Sequence, residues 1–215
     1  MQSSCELIHV HQGLCGWTYA FNDSLKKLLS KIETNIPLQL LTADVPPHQL
    51  EQQHQAFIDL CKGAHKQRDQ LSDIKIGEKF SQNILSDSFK GCDGVELSKA
   101  IIAIQKYYPS RALESLIFFQ HKFFVEGKNL SDNSAYLGWF YELGMDGEYL
   151  FYFMNSTLVE MTRKKNQDFI LSLGITSYPM LLLKNNNRLH IISKGYMPFE
   201  IMEQSIKEIL GKVEA

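Results

Sequence analysis

The chain predicts an α/β protein: a mixed four-stranded sheet assembled from both ends of the sequence, with a large all-helical insertion between its halves. Three observations carry this. Short strand-like segments fall only near the two ends, at residues 7–11, 37–41, 180–183 and 189–192. Apolar residues between them recur at helical spacing, and no internal repeat or low-complexity tract divides the chain.

Taken in order, residues 7–11 are apolar on one parity and stop at Gln12-Gly13, a strand closed by a turn. From Thr18 the period changes, and Phe21, Leu25, Leu28, Leu29 and Ile32 share one helix face. Residues 37–41 supply a second strand and complete a βαβ unit. After Pro46-Pro47 a helix is expected through Leu50, Phe57, Ile58 and Cys61. Further helices are marked by Leu97, Ala100, Ile101 and Ile104, and then by Leu113, Leu116, Ile117, Phe123 and Phe124. Tyr136, Leu137, Phe140 and Leu143 mark another, which Gly144 can close in a left-handed cap. The last of the series runs through Val159, Thr162, Asn166, Phe169, Ile170 and Leu173 and stops at Gly174. Residues 180–183 and 189–192 then form a hairpin around an Asn-rich loop, and Pro198 opens a final helix through Met202, Ile206, Ile209 and Leu210. The expected division is a discontinuous sheet domain, 1–60 with 157–215, and a helical subdomain, 61–156.

Bulk properties narrow the function. A formal charge of −2 over 215 residues gives no electrostatic case for nucleic acid or an anionic membrane. The basic run Arg163-Lys164-Lys165 is expected to be a solvated helix face. No stretch of about 18 apolar residues could span a bilayer, and Met1-Gln2-Ser3-Ser4 leads straight into a strand, so a cytoplasmic location is expected. Four scattered cysteines, Cys5, Cys15, Cys61 and Cys92, read as reduced thiols rather than a disulfide framework.

Chemistry concentrates at Cys15, between the first strand and the first helix. Unpaired N–H groups and partial positive charge at a helix start favour a thiolate, which is the nucleophilic form of cysteine. Gly16 permits close backbone approach, Trp17 can lay an apolar surface beside the sulfur, and Thr18 can donate its hydroxyl to it. Far along the chain, Ser177-Tyr178-Pro179 places an X-Pro bond at the start of a strand. Other candidates are weaker. His9 and His11 point to the same strand face, and Cys61 with His65 has the i, i+4 spacing of helix-borne ligands, but two ligands do not make a site, and no metal is expected. The many Phe and Tyr residues of the insertion read as packing.

In Cys15-Gly16-Trp17-Thr18-Tyr19, the chain resembles the DsbA-like thioredoxin-fold family, in particular its cytoplasmic FrnE-type branch, where a C-x-W-C-Y motif follows the first strand. The resemblance continues through the helical insertion, Leu143-Gly144, Gly174-Ile175-Thr176-Ser177-Tyr178-Pro179 and Gly195-Tyr196-Met197-Pro198. It implies a thioredoxin-like fold with Cys15 as the attacking sulfur and Pro179 as the cis proline. Gly16, Trp17, Ser177, Tyr178 and Pro179 would form the substrate-binding surface. The family's second cysteine is replaced by Thr18, so resolution of a mixed disulfide within the chain is not expected.

A single thiol implies a glutathione-linked, monothiol thiol–disulfide oxidoreductase or isomerase, with glutathione as co-substrate, no tightly bound cofactor and a homodimer as an open expectation. A second reading is an enzyme like the kappa-type glutathione transferases or chromene-carboxylate isomerase. There Thr18 would steady the thiolate of glutathione against a small electrophilic substrate. A third is a redox-inactive thioredoxin-like binding module.

Overall fold

A computed structural model describes residues 5–32, 36–44, 76–84 and 93–211. The expected helix around Leu50, Phe57, Ile58 and Cys61, the Cys61–His65 pair, Cys92 and the 60/61 domain boundary lie outside the described residues.

Strand β1 (Cys5–His11) runs into helix α1 (Gly16–Lys31) and then β2 (Leu38–Thr42). The helical stretch continues as α2 (Glu78–Asn83), α3 (Val95–Tyr107), a 3₁₀ turn at Pro109–Arg111, α4 (Ala112–Phe124), α5 (Ala135–Glu142), α6 (Gly147–Met154) and α7 (Thr157–Ser172). The chain closes with β3 (Met180–Asn185), β4 (Arg188–Lys194) and α8 (Phe199–Gly211). The sheet order is β2-β1-β3-β4. β1 pairs in parallel with β2 and antiparallel with β3, in registers that set Leu7 opposite both Leu38 and Leu183. β3 and β4 form a hairpin whose residues Asn185 and Arg188 are paired, and Asn186 takes the positive φ of 55° that so tight a turn requires.

Each sheet face has its own apolar layer. On one, Leu7, Leu181, Leu183 and Ile192 pack against Phe21, Leu25 and Leu28 of α1 and Met202 and Ile206 of α8. On the other, Ile8, Val10, Leu41, Met180 and Leu182 pack against Ile170 of α7. The insertion carries a third core around Phe119, Phe123, Phe124, Tyr136 and Phe140, which Tyr19 of α1 and Leu40 of β2 also join. Tyr19 stacks on Phe124 with centroids 4.7 Å apart. The edge strand β2 is closed by a side chain: Gln105 donates from Nε2 to Leu40 O at 2.9 Å and accepts from Leu40 N at 2.7 Å. That amide satisfies backbone groups which an edge strand otherwise leaves open.

Several local expectations change. Helix α6 was not anticipated; it starts where the Asp146 carboxylate accepts the Tyr149 N–H at 3.1 Å, a capping contact of ordinary kind. On α5, Trp139 rather than Leu137 is buried, because the helix turns its Tyr136–Trp139–Phe140 side to the insertion core. Only Val159 and Ile170 of α7 are buried, and Phe169 and Leu173 stand 39 % and 36 % exposed. The helix touches the sheet along a narrower stripe than its apolar pattern implies. Arg163 is not part of a solvated face; its side chain is only 13 % exposed.

Candidate thiol site

Cys15 is the N-cap of α1, with extended backbone angles of φ −82° and ψ 122°. The turn that delivers it runs Gln12-Gly13-Leu14-Cys15 and is closed by the Cys15 N–H donating to Gln12 O at 3.1 Å. No acidic residue occupies the first turn of α1 and no side chain caps it. The cysteine is part-exposed. An added Cβ at Gly16 would meet nothing within 4 Å, so the space at that position is open.

The second segment arrives from the start of β3. The Tyr178–Pro179 peptide is cis. Cys15 Sγ lies 4.0 Å from the Tyr178 carbonyl oxygen, across 163 positions of sequence. Ser177 is exposed, Tyr178 half-buried and Pro179 buried, while Gly16 and Trp17 are partly exposed. The structure therefore brings Cys15 against the backbone of Tyr178.

Thr18 differs. It is fully buried, and its Oγ1 has no hydrogen-bond partner, the Cys15 sulfur included. His9 and His11 lie on the face of β1 that α1 covers, with ring centroids 5.0 Å apart and His9 5.3 Å from Phe21 of α1. Both histidines are completely buried, and His11 Nε2 lies 3.2 Å from Thr42 Oγ1. Burial holds His11 down to about 3, and burial together with the neighbouring His11 holds His9 well below the ordinary range.

On the other flank, Asp44 comes just after β2. Arg163 of α7 bonds its carboxylate and also grips Glu160 through two contacts of 3.0 and 2.8 Å. Burial raises Asp44 despite the pull of Arg163. Tyr178 is raised by burial and then by the negative charge of Asp44, which places this ion-pair cluster within electrostatic reach of the thiol's partner segment. Only the i, i+3 spacing of Glu160 and Arg163 could have flagged it from sequence. Gln120 of α4 was also missed: it donates from Nε2 to Gly13 O at 2.8 Å and accepts from Asn22 Nδ2 of α1. Among the described residues no cluster of three metal-binding side chains exists and no helix is long and apolar enough to cross a membrane.

No family model matches the chain, and no curated protein matches it either. Solved structures do. A Nitrosomonas europaea protein provisionally called a protein disulfide isomerase is 13 % identical with a TM-score of 0.81, over 97 % of this chain and 98 % of that one. The cytosolic disulfide reductase DsbM from Pseudomonas aeruginosa is 17 % identical with a TM-score of 0.78, over 95 % and 98 % of the two chains, and it has also been solved with GSH. A 2-hydroxychromene-2-carboxylate isomerase is 13 % identical with a TM-score of 0.67, over 97 % of each chain. Together with the sheet order, this likeness makes the fold a DsbA-like thioredoxin fold with a helical insertion.

Proposed function

We propose that this protein is a monothiol thiol–disulfide oxidoreductase or isomerase of a reducing, cytoplasmic environment, with Cys15 as its nucleophile and glutathione as its co-substrate. The supporting observation is the part-exposed Cys15 sulfur at the mouth of α1, 4.0 Å from the Tyr178 carbonyl. That geometry presents the thiol beside a backbone edge at which an extended peptide or glutathione can pair.

The chemistry is an exchange that balances without another oxidant. The Cys15 thiolate attacks a disulfide R–S–S–R′, a sulfur–sulfur bond forms to R, and R′–S⁻ leaves and is protonated by solvent. A glutathione thiolate then attacks the mixed disulfide and releases Cys15 as thiolate, with R leaving as its glutathione disulfide. Thr18 has no sulfur with which to do this internally. Gly16, Trp17, Ser177, Tyr178 and Pro179 form the binding surface in this reading.

The likeness to the chromene-carboxylate isomerase favours a second reading, in which Thr18 steadies a glutathione thiolate. The burial of Thr18 counts against it, since a bound sulfur would have to displace the helix mouth to reach Oγ1.

Oxidised glutathione with the intact protein tests the reading. One glutathionyl adduct is expected, mapped by peptide mass to Cys15 and absent from Cys15→Ser. Cys5 is a poor competitor because burial raises its thiol. An adduct that persists in Cys15→Ser, or none in the wild type, would overturn the proposal. Glutathione conjugation to a chloro-nitrobenzene that survives Cys15→Ser and fails in Thr18→Val would install the second reading in its place.

A further inference from the structure

We infer that Gln120 is the positioning residue through which the helical insertion holds the thiol in register, an inference that rests on the reading of Cys15 just given. The Gln120 side chain is fully buried. Its Nε2 donates to Gly13 O, two residues before Cys15, at 2.8 Å. Its Oε1 accepts from Asn22 Nδ2, in the second turn of the helix that Cys15 caps. One amide from α4 therefore ties the segment entering the thiol to the helix leaving it, across 107 positions of sequence on one side and 98 on the other.

The same turn is seated on the insertion by packing. A Cβ at Gly13 would lie 2.1 Å from Leu97 Cδ2 of α3, and one at Gly94, just before α3, would touch Leu14 at 3.9 Å. The Gln12-to-Cys15 turn is thus held from outside the sheet, by the helical insertion. The sulfur's placement over the helix mouth depends on a group that contacts neither the sulfur nor any substrate. A small displacement of a reacting group is enough to cost rate.

Gln105 provides a matched comparison within the same insertion. It too makes two amide bonds to the sheet domain, but both go to Leu40 of β2. Gln120→Leu, Gln120→Met and Gln105→Leu are made in the full chain. The rate of Cys15 alkylation by iodoacetamide is followed by peptide mass between about pH 6 and 9, alongside urea unfolding. Gln120→Met keeps the length and flexibility of the side chain, adds no charge and removes the donor to Gly13 O, so it decides the matter if Gln120→Leu does not fold. Both Gln120 variants are expected to slow alkylation at least about fivefold and to move its pH profile, whereas Gln105→Leu loses stability with a rate within about twofold of wild type. Folded Gln120 variants alkylated at the wild-type rate would overturn the inference, and so would equal slowing in Gln105→Leu, which would mark general loosening. Iodoacetamide needs no glutathione chemistry. Failure to form the glutathionyl adduct would therefore sink the proposed function alone, and a thiol indifferent to Gln120 would sink this inference alone.

Discussion

The two faces of β1 are built on different terms. Ile8 and Val10 point into an apolar layer, with Leu41, Met180, Leu182 and Ile170 around them. Leu7 opens the opposite face among Phe21, Leu25 and Leu28, but toward the thiol that face changes to His9 and His11, both fully buried. Buried polar atoms without a hydrogen-bond partner occur on this face of β1, at both ring nitrogens of His9 and at His11 Nδ1, and on α1, at Thr18 Oγ1 and Asn22 Oδ1. Each such group costs about 1–3 kcal/mol relative to a satisfied one. The strand is thus anchored by its dry face and by Leu7 on the other, while stability is given up at His9 and His11. Local rules broken next to a reactive group are where function is expected to sit.

Acid should expose the difference most strongly. His11 is held neutral down to about 3, against an ordinary value of 6.5, and His9 is shifted in the same direction. The unfolded chain therefore binds protons that the folded one refuses. Stability is complete above about pH 6.5 and is lost as pH falls toward 3, at about 1.4 kcal/mol per pH unit for each histidine. Among the described residues, no carboxylate acts on either ring, and the one titratable group that acts on His9 is His11. By about pH 4.5 His11 alone should have removed roughly 3 kcal/mol, with His9 adding to it. Urea midpoints taken across this range check the slope. In His9→Leu the slope should be shallower; an unchanged slope would mean that His9 does not sense the interior.

Truncation on the dry face should come next in size. Ile8 is 3 % exposed within a filled apolar layer, so Ile8→Ala should cost about 3 kcal/mol at any pH between neutral and the onset of acid unfolding. Chemical denaturation at pH about 7 measures it, with Cys15 alkylation as the companion readout. The companion should barely move, because Ile8 and the helix that Cys15 caps lie on opposite sides of the sheet. A large loss of Cys15 reactivity in folded Ile8→Ala would erase the distinction between the faces.

How far these features were legible depends on the range over which they are determined. The strand–turn–helix around Cys15 is local: alternation through His11, a break at Gln12-Gly13 and a helical period from Thr18 place the cysteine at the N-cap it occupies. The hairpin was equally readable, since Asn186 in the turn has the φ its residue type favours. Arg163 was misread because a basic triplet on a helix says nothing of which member turns inward; Asp44, far upstream, selects it. Gln120 carried no signal at all. Its partners, Gly13 and Asn22, are chosen by the packing of α4 on α1, and a glutamine in a helix is unremarkable until that packing exists. Thr18 was legible in position but not in environment. Its place three residues after the cysteine invited a contact with sulfur, whereas Oγ1 is buried and bonds to nothing, the sulfur included.

That environment sets the smallest effect and the sharpest one. Thr18→Val keeps the shape of the side chain and removes a buried hydroxyl that has no partner. A polar group lost from such a site is a penalty lost, so the variant should be more stable than wild type by about 1 kcal/mol, read as a higher urea midpoint with an unchanged slope. Its glutathionyl adduct at Cys15 should form at close to the wild-type rate, since Oγ1 does not touch the sulfur. Had the hydroxyl been an essential donor to a thiolate, the variant would instead lose reactivity and gain nothing in stability. The two faces would then differ for a catalytic reason carried by Thr18 itself, rather than for the buried polar groups of the side that α1 covers.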